Sequence, residues 1–343
     1  MTAARPRRRR PGAPSPTISA CLMVRDEARV LPRCLRSIAG AYDELCIVDT
    51  GSTDATLEIA RKAGARIHSF TGCNGADGRI EDFAAGRNAA LGIATGDWIL
   101  QIDADEVLAP GGVARLRRHS RNRALTSVAV TMSSEGARWL SIRMHRRSGL
   151  SYVGRLHEYT ERDGETRTLS DRSIVITNRP DKRGKESAAQ RNMRLLHLEI
   201  ADHPDNARAM FQLGNELRCL GRLEEAIAQY RAAVALDTYG HGRFAARYYL
   251  AICYLLQQDW ERAIVAALDG MRVDPRYAEA HCLLGDAYFA QGALAHAGQW
   301  YRSALCCGSP PDTPMAVQLW AYGTYPRKRL RMVTAAARAT GST

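Results

Sequence analysis

Between Thr17 and about Met132 the chain alternates short, unbroken apolar runs with amphipathic segments. The runs read TISACLMV, ELCIVD, ARIHSF and DWILQID. In VLPRCLRSIAG, between the first two, Leu31, Leu35 and Ile38 recur at helical spacing, with Pro32 near the start and Gly40 after the end. DATLEIARKAG, closed by Gly64, and EDFAAGRNAALGIA predict two further helices. Strands that are apolar throughout, rather than at alternate positions, need cover on both faces, so the pattern predicts a parallel sheet flanked by helices. From about Thr126 to Thr177 the runs shorten to LTSVAVTM, RWLSIRMH, LSYVG and RSIVIT with polar turns between them, predicting a mixed or antiparallel extension. NRPDKRGKES then reads as a linker.

Beyond the linker the chain is helical and repeats itself. FQLGNELRCLGRLEEAIAQYRAAVALD, YYLAICYLLQQDWERAIVAALDGMRVDP and CLLGDAYFAQGALAHAGQWYRSALCCGSP align, with Gly214, Ala251 and Gly285 at one shared position. Leu217, Tyr254 and Tyr288 follow three residues on, Ala226, Ala263 and Ala297 twelve on, and Tyr230, Ala267 and Tyr301 sixteen on. The copies are 37 and 34 residues apart, the longer step absorbing the TYGHG loop. This resembles the tetratricopeptide repeat, which implies antiparallel helix pairs packed through small residues and a concave surface for a partner or for the chain itself. The expected organisation is a disordered basic tail over residues 1–16, an α/β domain over 17–180, an all-α repeat domain over 185–310 and an extension over 311–343.

Charge adds little at first. The formal net charge is +12, but Arg5 and Arg7 to Arg10 lie in the tail, which leaves +7 for the remainder. Nucleic-acid binding would rest on that tail alone, a weak basis. No apolar stretch is long enough to span a membrane, and the basic N-terminus lacks the apolar core of a secretory signal. The nine cysteines are odd in number and irregular in spacing, with no Cys-x-x-Cys. Cys21 and Cys46 fall in strand-like runs and Cys219, Cys253 and Cys282 in helix-like ones, as small buried apolar residues would in a reducing, cytoplasmic compartment.

The informative chemistry lies at the strand ends, where open α/β sheets bind their ligands. These read VRDE, VDTGSTD and IDADE, all acidic. Asp103 and Asp105 are two apart, so on extended backbone they would point the same way, and such a pair can hold Mg²⁺ or Mn²⁺ with water and phosphate oxygens completing its shell. The plainer alternative is that Asp105 and Glu106 cap the helix beginning near Pro110. Asp49, before the turn at Gly51, suits a contact with a base or ribose, whereas Asp54 suits a helix cap. VRDEA offers Arg25, Asp26 and Glu27 to the same cleft, the alternative for Glu27 being a first-turn helix carboxylate. In RLHE, His157 and Glu158 would face opposite ways on extended backbone, with Arg155 on the side of His157. His145, His197 and His281 read as surface or packing residues.

Taken together, ISACLMVRDEARVLPRCLRSI, ELCIVDTGSTDATLEIARKAGA, DFAAGRNAALGIATGDWILQIDADE and YVGRLHE resemble, in order and spacing, a family 2 glycosyltransferase of the GT-A fold. With GRLHE and the C-terminal repeats the likeness is to the bacterial branch of peptide S-glycosyltransferases that modify sublancin-type bacteriocins. A branch resembling lipopolysaccharide-core glucosyltransferases shares only the first half. The resemblance implies that Asp49 contacts the uracil of a UDP-sugar, and that Arg25, Asp26 and Glu27 stand where the family has Lys-Asn-Glu. Phe83, Arg87 and Asn88 match the element F-S-x-A-R-N, although Ala84 and Gly86 depart from it, and Arg87 approaches the diphosphate. Asp103, with Ala104, meets ribose or sugar. By the same resemblance Asp105 would be a metal ligand, His157 a metal or diphosphate ligand, Arg155 a partner of the phosphate charge, and Glu158 the general base or a sugar-binding carboxylate.

The expected reaction is a metal-dependent inverting transfer of a hexose from a UDP-sugar to an acceptor nucleophile, with Mn²⁺ or Mg²⁺ as cofactor. A peptide, protein or glycan serves as acceptor, and the repeats hold it or mediate homodimerisation. Two alternatives are a catalytically silent repeat scaffold and a transferase acting on a cell-envelope glycan. A nucleotide-dependent dehydrogenase is excluded, because VRDEARV stands where Gly-x-Gly-x-x-Gly would follow the first strand.

Overall fold

The computed structural model describes residues 15–134, 137–181, 183, 186–311 and 317–339. The tail over 1–14, part of the linker and part of the C-terminal extension lie outside the described residues. The chain divides into two compact units, residues 1–185 and 186–343.

The first unit opens with three parallel strands joined through helices: β1 (Ile18–Val24), α1 (Leu31–Ser37), β2 (Glu44–Asp49), α2 (Thr56–Lys62) and β3 (Arg66–Ser69). Then come α3 (Phe83–Ile93), β4 (Trp98–Gln101), β5 (Glu106–Leu108), α4 (Gly112–Ser120), β6 (Ser127–Ser134), β7 (Ala137–Arg146), β8 (Leu150–Val153), β9 (Tyr159–Arg162) and β10 (Thr168–Asn178). Eight of these strands form one sheet in the order β3-β2-β1-β4-β7-β6-β10-β5. β1 to β4 are parallel, as the continuous apolar runs require. β7 enters antiparallel between β4 and β6, making the sheet mixed as the shorter runs predict. Successive β1 residues feed opposite cores: Ala20 and Leu22 pack with Leu31 and Leu35 of α1 and with Ile38 just after it, and Cys21 packs with Ala84 and Ala90 of α3. Two short strands, β5 (EVL) and β9 (YTER), are too brief to show a hydrophobic pattern in the sequence, and both border the site.

The second unit is helical: α5 (Ala188–Asp202), α6 (Ala207–Cys219), α7 (Leu223–Leu236), α8 (Arg243–Leu256), α9 (Trp260–Val273), α10 (Ala278–Ala290), α11 (Leu294–Cys306) and α12 (Thr324–Ala339). The three sequence copies are the pairs α6–α7, α8–α9 and α10–α11. Their two spaced positions compensate in volume. Where the first is glycine (Gly214, Gly285), the second is a buried tyrosine (Tyr230, Tyr301); where it is Ala251, the second is Ala267. A Cβ on Gly285 would stand 2.5 Å from the Tyr301 ring, and one on Gly214 2.7 Å from the Tyr230 ring. Gly285→Ala should therefore overpack its pair and cost about 1–3 kcal/mol in denaturant unfolding of this unit, despite alanine's better helix propensity.

No helix of the described residues is long and apolar enough to cross a membrane, and all nine cysteines are free thiols.

Candidate active site at the strand ends

The acidic loops after β1 and β2 are tied to each other. Asp26, at φ 51° in the left-handed region unusual for a non-glycine residue, accepts from the amides of Thr53 (2.7 Å) and Asp54 (3.3 Å), and its own amide donates to Ser52 Oγ (3.0 Å). Asp54 in turn accepts from the amides of Ala28 (3.1 Å) and Thr56 (2.9 Å), so it does cap the first turn of α2. Glu27 is not in the first turn of α1. It precedes the helix, its amide donates to Thr56 Oγ1 (2.7 Å), and its carbonyl receives the amides of Val30 and Leu31 at 3.0 and 2.9 Å. Asp49 is only 4% exposed, and its carboxylate accepts from the amides of Gly51 (3.2 Å) and Ser52 (3.1 Å). Its first task is therefore to shape the turn, and any contact with a base is additional. Arg25 Nη1 donates to the carbonyl of Gly78, which draws the loop before α3 over the end of β1.

At the end of β4 the backbone is not extended, which corrects the geometry expected for Asp103 and Asp105. Residues 103–106 form a turn: the Glu106 amide donates to the Asp103 carbonyl (3.0 Å), and the Asp103 amide donates to Glu106 Oε2 (2.8 Å). The Ala104 side chain is buried in the core beneath the turn, away from any ligand at the strand ends. Glu106 belongs to β5, opposite Asn178 of β10, and α4 begins only at Gly112 without a side-chain cap. Capping of α4 by Asp105 or Glu106 is excluded. Asp105 stays partly exposed at the turn, with Asn178 Nδ2 3.4 Å from its Oδ2.

Three carboxylates so close call for positive charge, and two buried arginines supply it. Arg87 Nη1 donates to Asp103 Oδ1 (2.9 Å) while its Nε donates to Glu158 Oε1. Arg143 of β7 donates to Glu106 Oε1 (2.6 Å) and lies 3.8 Å from Asp103 Oδ2. Their side chains are 10% and 12% exposed. Arg143 is the residue the sequence reading missed. It sits in an unremarkable strand, and only the insertion of β7 beside β4 brings it to the corner.

Arg87 is aimed by its own helix. A Cβ at Gly86 would stand 2.2 Å from Met23 Sδ, so glycine lets α3 settle onto β1. Asp82 caps the helix by accepting from the Ala85 amide (2.8 Å). One residue beyond Arg87, Asn88 accepts from the Tyr152 amide and donates to the Tyr152 carbonyl, both at 2.8 Å, mimicking a strand partner for β8. β8 and β9 form a separate hairpin, and GRLHE is its loop. The Phe83 amide donates to the Arg155 carbonyl (3.0 Å), and Arg155 Nη1 to the Glu81 carbonyl (3.3 Å). His157 adopts φ 52° and is exposed, whereas the Glu158 side chain is 12% exposed against Arg87. The opposite orientations expected of His157 and Glu158 thus come from a left-handed loop residue, not from extended backbone.

Burial and the neighbouring Asp103 push the Glu106 carboxyl up to about 8, against the pull of Arg143. Asp103 goes the other way: burial alone would raise it, and Arg87 and Arg143 hold it below the usual carboxylate range. Burial, with Arg162 and Arg143 nearby, lowers His145 to about 3. From these shifts follows a pH profile of stability. Glu106 binds its proton more tightly folded than unfolded (4.5), so it erodes stability as pH rises towards 8. His145 binds its proton more tightly unfolded (6.5), so it erodes stability as pH falls below that value. The two slopes cancel between 4.5 and 6.5, and above 6.5 only the Glu106 slope remains. Unfolding free energy should fall by roughly 2 kcal/mol between pH 6.5 and 8, and Glu106→Gln should abolish that fall in denaturant melts.

Among the described residues no three His, Cys, Asp or Glu side chains gather into a ready-made cation cage. Asp103 is engaged by guanidinium groups. The Asp105 carboxylate at the turn, partly exposed, is an oxygen donor of the kind that fits an ion keeping water and ligand phosphate oxygens, as Mg²⁺ and Mn²⁺ do.

A doubly covered sheet with carboxylates and guanidinium groups gathered at the carboxyl ends of its parallel strands, followed by paired helices, is the architecture of a GT-A-like transferase domain carrying helical repeats. Residues 19–189 match the family model Glycosyl transferase family 2, and residues 187–241, 211–272 and 270–314 match a tetratricopeptide repeat. The chain belongs to the family 2 glycosyltransferases, with tetratricopeptide repeats following the transferase domain. It is 31% identical to a TPR repeat-containing protein of Synechococcus elongatus over 74% of this chain and 65% of that protein. It is 25% identical to the SPbeta prophage-derived glycosyltransferase SunS of Bacillus subtilis, over 64% of this chain and 54% of SunS. An uncharacterized glycosyltransferase of Rickettsia felis is 33% identical over 26% of this chain and 29% of its own length. The chain thus spans less than two thirds of the length of these curated relatives.

Proposed function

We propose that the chain transfers a hexose from a UDP-sugar, with inversion, to a nucleophile on a peptide or protein acceptor. The observation that carries this reading is the meeting of Arg87, Asp103 and Glu158, from α3, the end of β4 and the β8–β9 loop, in one charged corner. The loops after β1 and β2, bound to each other through Asp26, supply the wall for uracil and ribose, with Arg25, Glu27 and Asp49 on it. Asp105 would hold a divalent cation with the donor's oxygens, and His157 on the neighbouring loop is the second candidate ligand; when bound, that ion neutralises the departing diphosphate.

Arg87 and Arg155 present cationic groups to the diphosphate, and Asp103 orients the sugar or ribose hydroxyls. Glu158, fixed through one oxygen by Arg87, takes the acceptor's proton as the new bond forms on the face of the sugar opposite the breaking bond to UDP. A cysteine thiol would need little of that help, because thiols ionise far more readily than hydroxyls. The repeats support a peptide or protein acceptor, since stacked helix pairs offer an extended surface to one.

A screen of nucleotide-hexoses with Mn²⁺ or Mg²⁺, read by nucleotide release, tests the reading. UDP should be released from one or more UDP-hexoses above a heat-inactivated control. Background release throughout would favour a silent repeat scaffold, and release stimulated only by envelope glycans would move the acceptor to that class.

A further inference from the structure

The positive charge of the chain is concentrated at its ends. Of the net +12, five arginines fall in residues 1–16, whereas residues 287–343 hold Arg302, Arg327, Lys328, Arg329, Arg331 and Arg338 against one acid, Asp312. The 270 residues between carry the remaining +2. A solvated helix face normally mixes both signs, and α12 has no acidic residue at all.

The inner face of α12 is committed to the last repeat. Tyr325 Oη donates to Asp286 Oδ2 (2.7 Å), and Arg329 Nε lies 3.0 Å from Asp286 Oδ1 and donates to Tyr301 Oη (2.8 Å). The Arg329 guanidinium also covers the Phe289 ring at 4.5 Å, and Pro326 is buried. These contacts fix the rotation of the helix. Lys328, Arg331 and Arg338 then fall on one exposed stripe at spacings of three and seven residues, with exposed Arg327 beside it. Next to this stripe the chain exposes large apolar side chains: Leu319 is 70% exposed, Trp320 41% and Met332 39%. Trp320 is braced edge-on against Tyr325, with ring centroids 4.9 Å apart.

We propose that α12 and the turn before it form a docking surface for an anionic lipid bilayer. Cations at headgroup level gain from the surface potential of acidic lipids, and tryptophan and leucine beside them suit the boundary between headgroups and acyl chains. A nucleic acid or an acidic protein would use the same charges but would gain little from Leu319 and Met332, so the bilayer is the occupant the surface fits. Such docking would bring the enzyme to a membrane although no helix of the described residues could span one.

The test is co-sedimentation of the full chain with vesicles of phosphatidylcholine alone or with about one third phosphatidylglycerol, at low and high salt. The wild type should partition to the anionic vesicles only, and lose that partition in high salt. Lys328→Glu with Arg331→Glu should lower partitioning at least tenfold, and Trp320→Ala should lower it at unchanged salt dependence. The helical circular-dichroism melt of each variant verifies that the cap is still folded. Equal binding to both vesicle types, an unchanged partition in the folded charge-reversed variant, or displacement from vesicles by an equal charge concentration of oligonucleotide would overturn the proposal.

Discussion

Arg87→Met should lower the stability of the α/β unit by about 3–5 kcal/mol and reduce UDP release at least a hundredfold, the largest combined effect expected of any single change. The methionine leaves Glu158, 12% exposed, and Asp103, 33% exposed, without the guanidinium that now bridges them. Arg143 compensates Asp103 only in part, from 3.8 Å, since its closest bond, at 2.6 Å, goes to Glu106. Adding Glu158→Gln to Arg87→Met removes one of the stranded charges, so the double variant should regain part of the stability. Turnover should not return, because both the diphosphate cation and the proton acceptor are then missing. Chemical denaturation and nucleotide release on the two variants separate these effects. Recovery of turnover along with stability would reduce Arg87 to a structural residue.

Asp105→Ala separates them in the opposite direction. Asp105 sits partly exposed at a turn whose closing bonds run between Asp103 and Glu106, and its contact with Asn178 Nδ2 is a long one, at 3.4 Å. The variant should therefore melt within about 0.5 kcal/mol of the wild type. UDP release should nevertheless fall by two orders of magnitude or more, because the cation that neutralises the departing diphosphate would lose its carboxylate ligand. A variant that keeps full metal-stimulated turnover places the ion elsewhere.

The parallel half of the fold was legible because β1, β2 and β4 are buried along nearly their whole length, although the edge strand β3 is largely exposed, and its helices are punctuated by Pro32, Gly40 and Gly64. The repeats were legible because close packing of paired helices demands small residues at fixed positions, and Gly214, Ala251 and Gly285 meet that demand. At the site, the residues were recognisable but their geometry was not. A two-residue spacing suggests a shared direction only on extended backbone, and residues 103–106 turn instead. The left-handed backbone at Asp26 and His157 is signalled only weakly by residue type, since aspartate and histidine adopt it more often than most residues but still uncommonly. Arg143 escaped notice because its role depends on strand order. It reaches Glu106 and Asp103 only because β7 crosses back between β4 and β6, a pairing that hydrophobic pattern does not specify.

One physical proposition underlies the functional reading: the charged corner and the loops around it receive the nucleotide diphosphate of the donor. Hydrogen–deuterium exchange of the full chain with and without UDP, in the presence of Mn²⁺, tests it most directly. Residues 25–28, 49–54, 101–106 and 154–158 should exchange more slowly with UDP bound, while the helices over 207–306 remain unchanged. Protection confined to the repeats, or none at saturating UDP, would contradict it.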